Sequence, residues 1–135
     1  MKVLAVDFGS KRIGLAVGNS QVRVATPLGQ ILARNRHYVL EEILKRVGEF
    51  EIDHIVVGYP LNMDGSRSLT CKRVDQFINY LIKRIALPIS RVDEKLSSFA
   101  AEEMGKEVQG DFRKRKLFLD GLSAQVILQN YFEQT

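Results

Sequence analysis

Three carboxylates stand at the ends of elements that should otherwise be core. Asp7 closes the apolar run VLAV and is followed at once by a glycine-bearing turn and two cations, FGSKR. Glu94, with its neighbour Asp93, ends a later short apolar run. Asp120 precedes Ala124, Ile127 and Tyr131 by four, seven and eleven residues, so it continues a helical stripe that is otherwise apolar. Carboxylates that converge repel one another, and each resists ionisation unless a cation compensates it. Hard oxygen donors of this kind suit Mg²⁺ or Mn²⁺, with water and substrate phosphates completing the coordination. Two such ions about 4 Å apart stabilise the attacking and leaving oxygens of a phosphodiester displacement. The chemistry these residue types suggest is metal-assisted hydrolysis of a nucleic acid.

Each acid also has an ordinary explanation. Asp7 could simply open a turn before Gly9, Glu94 could be a surface residue beside Lys95, and Asp120 could be a first-turn acid favoured by the helix dipole, with Arg113 to Lys116 as its ion-pair partners. Taken together, three acids at the ends of core elements are harder to explain that way.

The cations point to an anionic partner. The chain has 20 Lys and Arg against 16 Asp and Glu, a net charge of +4, which says little by its size. Placement says more: Lys11 and Arg12 follow Asp7, Arg67, Lys72 and Arg73 follow a turn, and Arg113, Lys114, Arg115 and Lys116 form an unbroken run before Asp120. Clusters beside acidic turn motifs favour nucleic acid. Gly9 allows either a positive φ or close backbone approach to a phosphate. Asn62, Asp64 and Gly65 shape a turn that could face the same site and contact substrate, although turn formation alone also accounts for them.

The elements that must position these groups are legible as periodicity. Residues 2–7 and 13–18 read as antiparallel strands, and 21–28 as a weaker third that Pro27 confines to an edge or an end. His37 to Phe50 has the spacing of an amphipathic helix, and HIVVG (54–58) that of a strand buried on both faces. Ser66 can cap a helix through Ile85 with the stripe Leu69, Val74, Phe77, Ile78, Leu81, Ile82 and Ile85. Residues 88–92 form a last strand, Ser97 or Ser98 can cap a two-turn helix, 105–111 reads as a loop, and a closing helix runs from about Arg115 to Phe132. The order describes an α/β domain whose sheet starts as an antiparallel meander and continues through right-handed crossovers. Open sheets of this kind place ligands at the carboxyl ends of their strands, where Asp7 and Glu94 could meet. Tyr80 and Tyr131 fall within helical stripes and read as core.

With 135 residues and 45% hydrophobic content the chain suits one domain, residues 1–135. No run of 18 apolar residues spans a bilayer and the first aspartate comes too early for a secretory signal, so a cytoplasmic protein with no membrane partner is expected. One cysteine and two histidines provide neither a disulfide nor a zinc site.

The segments AVDFGSKRIGLAV (5–17), IVVGYPLNMDGS (55–66), VDEKLSS (92–98) and LDGLSAQVILQNYF (119–132) resemble the YqgF/RuvX family of Holliday junction resolvases and pre-16S ribosomal RNA nucleases, over essentially the whole chain. The resemblance implies an RNase H-like fold with a five-stranded mixed sheet flanked by helices, and a metal-dependent nuclease site. It assigns catalytic and metal-holding roles to Asp7, Glu94 and Asp120, the same three acids that spacing singles out. Lys95 stands where the family usually has arginine, Ser98 where threonine is common, Tyr59 where leucine is usual and Ser123 where an alanine pair is typical. Lysine keeps the charge of a phosphate clamp but loses the bidentate fork. The resemblance favours precursor 16S ribosomal RNA as substrate, with branched DNA as the alternative and a ribosomal particle as a further partner. A binding module without turnover, and a monomer or a homodimer, stay open. A phosphotransferase of the actin and hexokinase type also begins with an Asp-x-Gly turn between strands, but 135 residues leave no room for its second lobe.

Overall fold

The computed structural model describes residues 1–60, 66, 68–93 and 112–134, with side chains from Ser123 onward in the last stretch. The sheet is built from β1 (Lys2–Asp7), β2 (Arg12–Asn19), β3 (Val24–Leu32), β4 (His54–Tyr59) and β5 (Ile89–Asp93), in the order β3-β2-β1-β4-β5. β1, β2 and β3 form the expected antiparallel meander, and β4 and β5 add in parallel beyond β1. The described helices are α1 (Arg36–Glu49), α2 (Leu69–Ile82) and α3 (Phe112–Gln134). Among the described residues no helix is long and apolar enough to cross a membrane.

The central strand is buried on both sides, and strand alternation divides its residues between two cores. Leu4 and Val6, with Ile13, Leu15, Ile31, Ile55, Val57 and Tyr59, face α1 and α2. Val3 and Ala5, with Ala16, Ala25, Val56 and Val92, face α3, which meets them with Ala124, Ile127, Leu128 and Phe132. The α3 side is made of small residues: β2 presents Gly14, Ala16 and Gly18 there, and Ala5 lies directly opposite Ala16. A Cβ on Gly18 would lie 2.6 Å from the Val24 carbonyl oxygen and 2.8 Å from the Phe132 ring, so the helix packs against bare backbone. Gln125 and Gln129 donate their side-chain amides to the carbonyls of Ala25 and Arg23, each at 3.0 Å, and Arg23 donates to the Phe132 carbonyl.

Several boundaries differ from the sequence reading. β3 runs on to Leu32 because it is an edge strand, where Pro27 forfeits no ladder hydrogen bond, and a register shift opposite Leu15 and Ala16 absorbs the turn-like Leu28 and Gly29. The cap of α2 is Ser68 rather than Ser66: its hydroxyl accepts from the Cys71 N–H at 3.3 Å and donates to the Pro60 carbonyl at 2.8 Å, tying the helix to the end of β4. Leu69, at the first helical position, is 82% exposed and does not belong to the buried stripe; Ile82, in the last turn, is 52% exposed. Residue 112 opens α3, about one turn earlier than periodicity suggests. The helix expected after Ser97 or Ser98 and the 105–111 loop lie outside the described residues.

At the amino end of β4, His54 sits beneath α3 with one ring nitrogen 2.8 Å from Ser90 Oγ and its ring edge-on to Tyr131 at 5.6 Å. Burial lowers its pKa below the ordinary 6.5. The fold therefore favours the neutral ring. Stability attributable to His54 is full above about pH 6.5 and falls as the unfolded chain takes up a proton that the folded ring resists, until the folded ring itself protonates. Glu42, whose carboxyl is held low by Arg46 and then Lys45, loses its contribution only below its ordinary 4.5, outside this window. Urea denaturation at pH 7.5 and 5.5 should show a loss of stability at the lower pH that shrinks in His54→Gln.

Candidate active site at the carboxyl edge of the sheet

Asp7 is the last residue of β1 and half-buried. It shares the parity of Val3 and Ala5, so its carboxylate lies on the α3 side of the sheet, paired in register with Gly14 of β2. Because β1, β4 and β5 are parallel, their carboxyl ends, Asp7, Tyr59 and Asp93, share one edge. Asp93 has the opposite parity to Val92 and faces the α1 and α2 side, so alternation separates it from Asp7 although both end strands at the same edge.

Helix α3 runs away from that edge. Its carboxyl-terminal turns lie over Gly18 and His54, at the far end of the sheet. Asp120 is twelve residues earlier, about 18 Å along the axis, a span comparable with the roughly 13 Å from Gly18 to Gly14, so its backbone lies toward the Asp7 end. It is on the register of Ala124 and Ile127, both fully buried against the sheet. With α3 starting at Phe112, Asp120 stands in the third turn, beyond the first turn where the helix dipole acts, so the dipole does not account for it. Arg113, Lys114, Arg115 and Lys116 occupy the opening turns of the same helix.

The turn after Asp7 is tightly made. A Cβ on Gly9 would stand 2.4 Å from the Arg12 carbonyl oxygen, and the Ala33 N–H donates to the Lys11 carbonyl at 2.9 Å. Gly9 is thus needed for space, and its φ is not positive. Lys11 is exposed and Arg12 half-buried beside Asp7's edge. The structure brings Asp7, Gly9, Lys11 and Arg12 together; Asn62, Asp64, Gly65, Glu94 and Lys95 lie outside the described residues.

Two features of this edge were not anticipated from sequence. On the α1 and α2 side, Tyr59 Oη donates to Asp75 Oδ2 at 2.9 Å, while Arg91 Nε and a terminal nitrogen lie 3.0 Å from Asp75 Oδ1 and the guanidinium stands over the Tyr59 ring at 5.7 Å. Aromatic, acid and base come from β4, α2 and β5, and their long sequence separation hides the link. Beside the β1–β2 turn, a largely apolar cleft of about 170 Å³ is lined by Phe8, Ile13, Val39 and Phe77, with Asn35 and Arg36 at its polar side.

Asp7 offers a hard carboxylate oxygen at this edge, the donor type that divalent cations such as Mg²⁺ take. His54 is at the opposite end of the sheet, and Cys71 is buried in the α1 and α2 core. Among the described residues no three acids, histidines or cysteines converge, and Glu94 and the Asp120 side chain are not among them.

The family model described as "RuvX: Holliday junction resolvase" matches residues 1–134. A Maridesulfovibrio salexigens protein named "putative pre-16S rRNA nuclease" is 40% identical over 97% of each chain. A Chromohalobacter salexigens protein of the same name is 38% identical over 96% of this chain and 88% of its own. In fold the chain is similar to Thermus thermophilus RuvC solved with a Holliday junction substrate, with TM-score 0.60 and 16% identity over 99% of this chain and 94% of that one. The fowlpox virus resolvase solved with Holliday junction DNA gives 0.57 and 12% over 99% and 98%. The architecture is that of the RNase H-like fold.

The turn geometry carries a direct expectation. Gly9→Ala should lower stability by about 1–3 kcal/mol, the usual range for overpacking, because the added methyl meets a backbone carbonyl rather than a yielding side chain. Chemical denaturation against wild type measures it.

Proposed function

This chain belongs to the RuvX family, and on that premise we propose that it is a metal-dependent nuclease, one RNase H-like unit over residues 1–135, that processes the 5′ end of precursor 16S ribosomal RNA. The observation that carries the reading is Asp7: a half-buried carboxylate at the carboxyl end of the central strand, on the face covered by the helix that bears Asp120. The names of the relatives support the RNA substrate. The family's description supports a second reading, resolution of four-way DNA junctions.

Asp7, Glu94 and Asp120 would hold one or two Mg²⁺ or Mn²⁺ ions through carboxylate oxygens. When bound, such ions supply charge stabilisation for an in-line displacement at phosphorus. Lys11, Arg12 and Arg113 to Lys116 bind the flanking phosphates, and Lys95 adds a point charge beside Glu94. Backbone at Gly9 lets a phosphate approach the turn, and Asn62, Asp64 and Gly65 line the groove. The chain forms no covalent intermediate with substrate in this scheme.

The test is cleavage of a labelled precursor 16S 5′-leader RNA and a four-way DNA junction, with Mg²⁺, with Mn²⁺ and with chelator. Wild type should cut the RNA only with metal. Asp7→Asn should lose at least about a hundred-fold in rate, as expected when several kcal/mol of transition-state stabilisation go. It should still unfold in one cooperative thermal transition, which separates a loss of chemistry from a loss of fold. Junction cutting alone would move the assignment to DNA, and an undiminished rate in Asp7→Asn would refute the site.

A further inference from the structure

The row that begins at Asp7 has a third member. Asp7 pairs with Gly14 of β2, and Gly14 pairs with Gln30 of β3, so the three residues line up across the sheet. Adjacent strands are about 4.8 Å apart, which sets the Asp7 and Gln30 backbones roughly 10 Å from one another. Gly14 contributes no side chain between them.

Strand alternation from Ala25 would turn Gln30 away from this face; the bulge corrects it. Ala25 and Pro27 pair with Gly18 and Ala16 on the α3 side, but the register then slips by one residue. Leu28 packs into the other core, Gly29 takes φ +89°, and Gln30 emerges opposite Gly14 with Ile31 buried behind it. A one-residue insertion reverses the facing of everything beyond it, and bulges beside active sites often re-aim a side chain in this way. A Cβ on Gly29 would meet nothing within 4 Å, so glycine is there for its conformation and not for space.

The side chain so aimed is chemically unfinished. Gln30 Nε2 is buried and has no hydrogen-bond partner among the described residues, whereas Gln125 and Gln129 of α3 place their amides on the carbonyls of Ala25 and Arg23. An unsatisfied buried amide is costly, and two N–H donors on the face and row of a carboxylate site suit an anionic oxygen brought by a ligand.

We propose that Gln30 is a substrate contact whose side-chain amide donates to a phosphodiester oxygen of nucleic acid bound at the Asp7 end of the sheet. The inference rests on the nuclease reading and adds to it a residue outside the acids and cations. Gln30→Met keeps length and volume but removes the donors, and Gln30→Glu keeps the shape but replaces donors by charged acceptors.

The experiment measures the Kd of each variant, placed in the Asp7→Asn background, for the labelled 5′-leader RNA and the four-way junction, with thermal unfolding in parallel. Gln30→Met should weaken binding of the preferred nucleic acid about ten-fold, the scale of one hydrogen bond to a charged group, and Gln30→Glu should weaken it further. The melting temperature of Gln30→Met should stay level or rise, which a purely structural glutamine would not do. If the Asp7→Asn protein binds but both Gln30 variants bind within two-fold of it, the inference falls and the nuclease reading stands. A Gln30→Met protein that melts lower and a Gln30→Glu protein that binds normally would also overturn it. If wild type binds neither nucleic acid, the nuclease reading fails and takes the inference with it.

Discussion

How closely α3 can lie against the sheet determines what the carboxyl edge can become. β2 offers that helix Gly14, Ala16 and Gly18, and β1 adds Ala5, so the contact is helix side chain on strand backbone. Phe132, fully buried, occupies the space that a side chain at Gly18 would take. Burying a residue of this size contributes on the order of 3 kcal/mol or more, and two glutamine amides and the Arg23 guanidinium fix the helix against sliding along β3. A helix seated this way carries its earlier turns, Asp120 included, toward the end where Asp7 stands. Bulky residues on β2 would push it away from the sheet and loosen that alignment.

The two faces of the sheet consequently do different work. Toward α1 and α2 the strands present Leu4, Val6, Ile13, Leu15, Ile55 and Val57, a thick core that provides most of the apolar burial. Polar groups on that side are consumed in structure: Tyr59, Asp75 and Arg91 lock β4, α2 and β5 to one another at the same edge where the proposed chemistry lies on the opposite face. The thin face carries Asp7, Gly14 and Gln30. Alternation by single residues is what assigns Asp93 to the structural side and Asp7 to the other, although both end strands at one edge.

Much of this was legible in the chain because the governing signals are local. The short apolar runs VLAV and GLAV and the period near 3.6 in α1 and α2 identify elements whose burial follows from local sequence, and Asp7 is conspicuous because it ends a run with no other polar residue after Lys2. What escaped depends on partners distant in sequence. Pro27 and Gly29 look like the end of a strand unless β3 is known to lie at the sheet edge, so Gln30 fell outside the strand read from sequence and its facing could not be assigned. Ser66 and Ser68 are equally good caps by type; proximity of Pro60 to Ser68 decides between them. Leu69 and Ile82 fit the helical period, yet both are exposed at the two ends of α2, and period alone carries no information about where a neighbour stops.

Length adds a further constraint at the carboxyl edge. α3 has 23 residues, about 34 Å, whereas β1 has six, about 20 Å, so the helix is longer than the strand it crosses. Its opening turns hold Arg113, Lys114, Arg115 and Lys116, and no acid stands in the first turn. Cations there oppose the helix dipole and one another, an arrangement that costs stability in the isolated protein. The same cost becomes an advantage when a polyanion is present, because phosphates are attracted both by the side-chain charges and by the positive end of the dipole. A charged run selected for solubility alone would be more stable with glutamates in those positions. The placement of four cations at the amino end of this helix, on the element that carries Asp120, is therefore consistent with the proposed binding of nucleic acid at this edge.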